Sequence, residues 1–219
     1  MYLYDLLLNN KEMLKILFTV IVGLSCFIIV LRTHKLFRLS YHQGIRYFRN
    51  AFFFYGLAFI FRYLFLRISN FATQIIFEFF IIMAGFFLLY SLIWKKFETQ
   101  EKSSYSSLLN LRIALFYVLT IILVFMDYIW LSYCFMFGSQ IILFAYTSII
   151  SYSNYKKSNG RGFTKLYFIV MLLNLIIWIA NFVTAKYLGW YQPIVVGVYA
   201  LNIIIFLIFL YGVISLTRK

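Results

Sequence analysis

Acidic side chains are scarce in this chain: six Asp and Glu stand against twenty Lys and Arg among 219 residues. Proline is scarcer still, with Pro193 alone, and glycine numbers ten. That leaves little material for linkers, and no stretch is polar enough to form a separate soluble domain. The two cysteines, Cys26 and Cys134, fall at different depths of different apolar runs and in no CxxC, so no disulfide is expected between them. The two histidines, His34 and His42, make neither HxxxH nor HExxH and have no carboxylate near them in sequence. No metal site follows from so few ligands. A serine or cysteine nucleophile needs a base within reach, and no histidine lies inside an apolar run. The Gly160-Arg161-Gly162 stretch is too short for a phosphate loop. The chain is therefore expected to be no enzyme and to carry no cofactor.

What the chain has in abundance is apolar surface. Hydrophobic residues make up 64% and mean hydropathy is +0.91, where soluble domains run about 45–50% apolar. Seven runs are long enough for a hydrocarbon core, which needs about 20 residues. They lie near Leu14–Arg32, Ile45–Leu66, Phe71–Trp94, Leu111–Leu131, Tyr133–Tyr152, Phe163–Thr184 and Tyr191–Leu216. In lipid a backbone must satisfy its own hydrogen bonds, which predicts helices. The fold class expected is all-α: a polytopic membrane protein, one seven-transmembrane-helix bundle spanning residues 1–219. The N-terminus lacks a basic n-region and a small-residue cleavage site, so the first run is expected to be a retained helix.

The basic residues set the orientation. Fifteen of the twenty fall in the first, third and fifth gaps and at the C-terminus; five fall on the other side. The positive-inside rule then places the N-terminus outside and the C-terminus in the cytoplasm of a cell membrane. The net charge of +14 is explained by anionic lipid headgroups at the cytoplasmic face, and no nucleic-acid partner is expected. The first gap, RTHKLFRLSYHQGIRYFRN, is basic and aromatic. It reads as a short interfacial helix or a docking surface, with Arg38, His42, Arg46 and Arg49 contacting lipid or a cytoplasmic protein partner.

The remaining polarity gathers in the outer half. Arg62, Glu78, Gln140 and Asn181 each lie eight residues from an outer turn, near Asn70, Ser132 or Gly189. At 1.5 Å per residue that is roughly 12 Å of depth. Asp127 and Gln74 lie nearer the surface; Asn174 and Asn202 lie deeper. Seven-residue spacing puts pairs on one helix face: Tyr55 with Arg62, Thr120 with Asp127, Tyr133 with Gln140 and Thr147, Tyr167 with Asn174 and Asn181, Gln192 with Tyr199. These faces are expected to point inward. Charges inside a membrane are tolerated when paired or lining a cavity. Arg62, Gln74, Glu78, Asp127, Gln140 and Asn181 are thus the ligand- or ion-binding candidates, with Asn174, Tyr199 and Asn202 as deeper ones. An Arg62–Glu78 clasp on the second hairpin is the plain structural alternative, and for the asparagines packing hydrogen bonds are favoured over ligand contacts.

No lysine lies between Tyr191 and Leu216, which excludes an ordinary retinal protein, and the proline–glutamine motifs of seven-helix sugar transporters are missing. Three readings follow. The first is a receptor-like or sensor-like module with a polar pocket in the extracytoplasmic half, taking a small-molecule ligand. The second is a proton- or cation-coupled transporter or channel. The third is a non-catalytic scaffold. The almost wholly apolar inner stretches Ile81–Ile93 and Ile203–Leu216 favour the first.

Overall fold

A computed structural model describes residues 11–40, 42–68, 71–97, 111–130, 133–158, 162–188 and 192–217. The turn centres at Asn70, Ser132 and Gly189, and the stretch from Glu98 to Asn110, lie outside the described residues, as do Gly160 and Arg161. The side chains of Gln192 and Pro193 also lie outside the description.

Seven helices account for nearly all that is described. They are α1 (Lys11–Ser40), α2 (Gln43–Ile68), α3 (Phe71–Phe97), α4 (Leu111–Trp130), α5 (Cys134–Lys157), α6 (Gly162–Lys186) and α7 (Gln192–Thr217). Six are long and apolar enough to cross a membrane, so this is a membrane-embedded, multi-pass helical protein. The exception is α2. It is long enough, but Arg46, Arg49, Asn50 and Arg62 interrupt its apolar surface.

Several helices outrun the expected spans. The 30 residues of α1 reach about 45 Å, against a hydrocarbon core of about 30 Å. The first basic gap is therefore mostly helix: α1 continues to Ser40 and α2 begins at Gln43. A separate interfacial helix does not form there. No proline or run of glycines stops either helix, and long basic side chains suit the headgroup depth.

Helices α1, α2, α3, α5, α6 and α7 close a ring in that order, and α4 lies outside it against α3 and α5. The sequence of α4 explains its place. Only Ile113, Thr120, Val124 and Asp127 are buried, a single stripe at helical spacing, and the rest of the helix is mostly exposed. Such a helix has one face for protein and the remainder for lipid. In contrast, α2 buries Tyr47, Asn50, Ala51, Phe52, Phe54, Tyr55, Ala58 and Phe59, and its rings reach α3, α6 and α7. The least apolar helix is thus sheltered by its neighbours.

The antiparallel order gives the bundle two ends. The starts of α2, α4 and α6 meet the ends of α1, α3, α5 and α7 at what we call the basic end. Arg62, Glu78, Asp127 and Gln140 belong to the opposite half.

Between them α3 and α5 approach closely at Gly85. A Cβ there would stand 2.8 Å from Gln140 Oε1 and 3.0 Å from Leu143 Cδ1. Gln140 is fully buried and has no room to retreat. Gly85→Ala is therefore expected to destabilise the bundle by about 1–3 kcal/mol, and adding Gln140→Ala should recover most of the loss. Thermal unfolding of the single and double variants in one detergent measures both.

Candidate functional site

The sequence candidates separate into three groups once placed in space. The first surrounds Arg62. Its Nη2 donates to the Tyr199 hydroxyl at 3.0 Å, and its guanidinium lies over the rings of Phe18, Tyr199 and Phe77 at 5.3, 5.4 and 5.8 Å. Arg62 and Glu78 form no ion pair, so the hairpin clasp, the structural alternative, is absent. Arg62 instead ties α2 to α7, with α1 packed beneath it. Faces of aromatic rings stabilise a desolvated guanidinium without a counter-ion. Sequence spacing alone gave no means of choosing Tyr199 over Glu78.

The second group joins α3, α4 and the start of α5. Gln74 Nε2 donates to Glu78 Oε1 at 3.0 Å, one helical turn away, and also approaches the Tyr133 hydroxyl. Glu78 and Asp127 are both buried, near enough for their charges to interact.

Asp127 has a definite task. Phe135 N donates to its Oδ1 at 2.8 Å and Met136 N to its Oδ2 at 2.6 Å. These are among the first N–H groups of α5, which have no partner inside their own helix. The N-cap residue Tyr133 supplies no side-chain bond, so the acid on α4 caps α5 from across the turn. A carboxylate at a helix N-terminus also meets the positive end of the helix dipole. The signal for this was present in the sequence: an acid seven residues before Cys134, at the end of an otherwise apolar helix.

The third group is the single residues. Gln140 is fully buried and neither its Nε2 nor its Oε1 has a hydrogen-bond partner. It sits against Gly85, a turn or more deeper than Glu78. Asn174 and Asn202 bend back to their own helices, with Nδ2 donating to Val170 O at 2.9 Å and to Val198 O at 3.0 Å. They bridge no two helices. Asn181 is half-buried on α6 and joins neither cluster. The inward orientation expected from seven-residue spacing is met by Tyr55, Thr120, Asp127, Gln140, Thr147 and Asn174, all buried.

The basic-end candidates also find partners. Arg49 Nη1 donates to His34 Nδ1 at 2.8 Å and Nη2 to Asn50 Oδ1 at 3.2 Å. Arg46 and Arg49 both stack on Phe37 of α1, at 5.9 and 5.8 Å. His42 meets the Trp94 ring edge-on at 5.1 Å, while Arg38 is exposed.

Here lies a feature that the sequence did not disclose. An open pocket of about 280 Å³ is lined by residues from α1, α3, α5, α6 and α7, from the start of α2, and by His42 just before it. Thr33 and Leu36 come from α1, Ile45 and Phe48 from α2, Ser91 and Leu92 from α3. Ser151 and Asn154 come from α5, Thr164 and Tyr167 from α6, and Val213 from α7. No periodicity signals a cavity that draws two residues at a time from many helix ends. A second pocket, about 440 Å³ and wholly apolar, lies between α3 and α4 at the opposite half. Its walls, including Ile75, Phe79, Ile121 and Phe125, suit lipid tails.

Among the described residues no cluster of three or more His, Cys, Asp or Glu could hold a metal ion. Cys26 and Cys134 are both free.

Asp127→Ala is expected to lower stability by about 2 kcal/mol by orphaning two N–H groups of α5. Asp127→Asn should cost less, since one amide oxygen still accepts. Thermal unfolding in detergent, with amide exchange at Phe135 and Met136, checks the order.

Comparison with protein-family models, curated proteins and solved structures finds no match for this chain.

Proposed function

We propose that this protein is a receptor-like or sensor-like membrane module with seven spans, α2 included. Its N-terminus lies outside, its C-terminus lies in the cytoplasm, and it performs no catalysis. The observation that carries this reading is an unbroken column of aromatic rings between the two polar regions. Phe48 in the pocket wall contacts Phe52 at 4.8 Å, Phe52 contacts Phe206 at 6.1 Å, and Phe206 contacts Phe59 at 5.9 Å. Phe59 meets Phe18 at 5.5 Å, and Phe18 stacks on Tyr199 at 4.8 Å, beneath Arg62. A column of this kind closes the route a solute would take while holding both ends in packed contact. Packed interiors shift between discrete arrangements more readily than they deform, which suits a module that reports one end's state at the other.

The acid pair favours a second reading, a proton- or cation-coupled transporter working through Glu78. The two readings part on flux. In proteoliposomes with an imposed pH gradient and a trapped pH dye, proton entry is expected to equal that of empty liposomes, for the native chain and for Glu78→Gln alike. Gradient-driven entry that Glu78→Gln abolishes would establish the transporter.

The orientation has its own test. Cys134 is exposed at the first residue of α5 and Cys26 is buried. In intact cells a membrane-impermeant maleimide is expected to label the native chain, with the label lost in Cys134→Ala. Labelling that requires permeabilised cells reverses the topology.

A further inference from the structure

We propose that the pocket at the basic end holds the headgroup of one anionic phospholipid, drawn from the leaflet that this end faces. The proposal rests on the orientation given above, and it gives the sensor-like reading a ligand class.

The first argument is position. Every lining residue lies within the first or last two turns of its helix or just before it, where the end of the hydrocarbon core gives way to the headgroup layer. The second is the composition of the wall. Leu36, Ile45, Phe48, Leu92 and Val213 make much of it apolar, which suits the glycerol end of a lipid better than a freely soluble ion. The third is an unmet hydrogen bond. Ser151 lines the pocket at 2% exposure, and its hydroxyl has no partner. Buried hydroxyls are rarely left so without a missing ligand or water.

Charge then selects the sign. No Lys or Arg is among the described lining residues, but cations crowd this end on four helices. In sequence Lys35 is next to Leu36, Arg46 and Arg49 are next to Ile45 and Phe48, Lys156 is two residues from Asn154, and Lys165 is next to Thr164, so they charge the end as a whole and not the wall itself. Among the described side chains the only carboxylates are Glu78 and Asp127, both in the opposite half. Low dielectric around the helices weakens the screening that salt would otherwise provide. Basic pockets between helices on the cytoplasmic side attract anionic headgroups for this reason. The volume of about 280 Å³ stands at the lower end for ligand sites. It admits a phosphoglycerol headgroup and leaves the acyl chains outside. Gly44 helps keep this space: a Cβ on it would lie 2.7 Å from Trp94 Nε1.

The test is native mass spectrometry of the full chain with equimolar phosphatidylglycerol and phosphatidylcholine of identical acyl chains. Phosphatidylglycerol is expected to be retained about tenfold more. Ser151→Leu, which fills the pocket, should remove that preference. Asn154→Leu, at an exposed lining position that tolerates change without unfolding, should reduce it about fivefold. Equal retention of the two lipids overturns the proposal. So does a preference that both variants leave intact, because the lipid is then held elsewhere on the basic face. Displacement of the lipid by millimolar inorganic phosphate or glycerol 3-phosphate overturns the lipid assignment in favour of a soluble anion. Proton flux through Glu78 would remove the sensor-like reading and leave this site standing. Loss of the lipid preference would remove the site and leave the orientation and flux results as they are.

Discussion

The packing of Phe52 is the contact on which the rest of the bundle depends. Phe52 belongs to α2, the helix least able to face lipid, and its ring meets Phe48, Tyr55, Phe206 and Phe209. Those contacts draw α2 against α7, and Phe18 against Phe59 adds α1. Only because α2 is held in this way can it carry Arg49 at one end and Arg62 at the other. Each guanidinium is then met by rings and neutral acceptors within the protein. In lipid a polar group must find such a partner inside the fold, and α2 finds one at each end.

The same rule governs α4 in the opposite manner. It buries one stripe and offers lipid the remainder, so its single acid needs a partner on that stripe. Asp127 finds it in the first N–H groups of α5. The short turn between α4 and α5 makes this possible, because an acid five residues before the turn still reaches the next helix. What reads in sequence as a candidate ligand-binding acid is a buried cap. Glu78 has the less complete set, with Gln74 as its only hydrogen-bond partner among the described residues.

The helices and the faces they turn inward were legible in the sequence, because both follow from local periodicity. Thr120 with Asp127 and Gln140 with Thr147 are buried as their spacing implied. Partners were not legible. Glu78 is as well spaced as Tyr199 for Arg62, and the choice between them depends on how far α2 is rotated toward α7. Nothing within one helix records that rotation. The order of helices around the ring was equally hidden, including the displacement of α4 that lets α3 meet α5 at Gly85. The basic-end pocket is the extreme case. Each helix contributes one or two ordinary residues such as Leu36 or Ser91, and only their convergence makes a site.

The two polar regions differ in a way that bears on function. In the half that holds Arg62 and Asp127, most polar side chains serve the fold: Arg62 joins helices, Asp127 caps one and Gln74 bonds Glu78, while Gln140 is buried against Gly85 with neither amide atom hydrogen-bonded. A group already committed to its own scaffold has little left to offer a ligand without breaking that contact. At the basic end one unmet group faces open space. Ser151 keeps an unmet hydroxyl in an open pocket. Gln140 is unmet inside the packed interior and Ser151 is unmet beside open space, so of these two groups it is Ser151 that has room for a ligand. The aromatic column from Phe48 to Tyr199 holds the two regions in continuous packed contact.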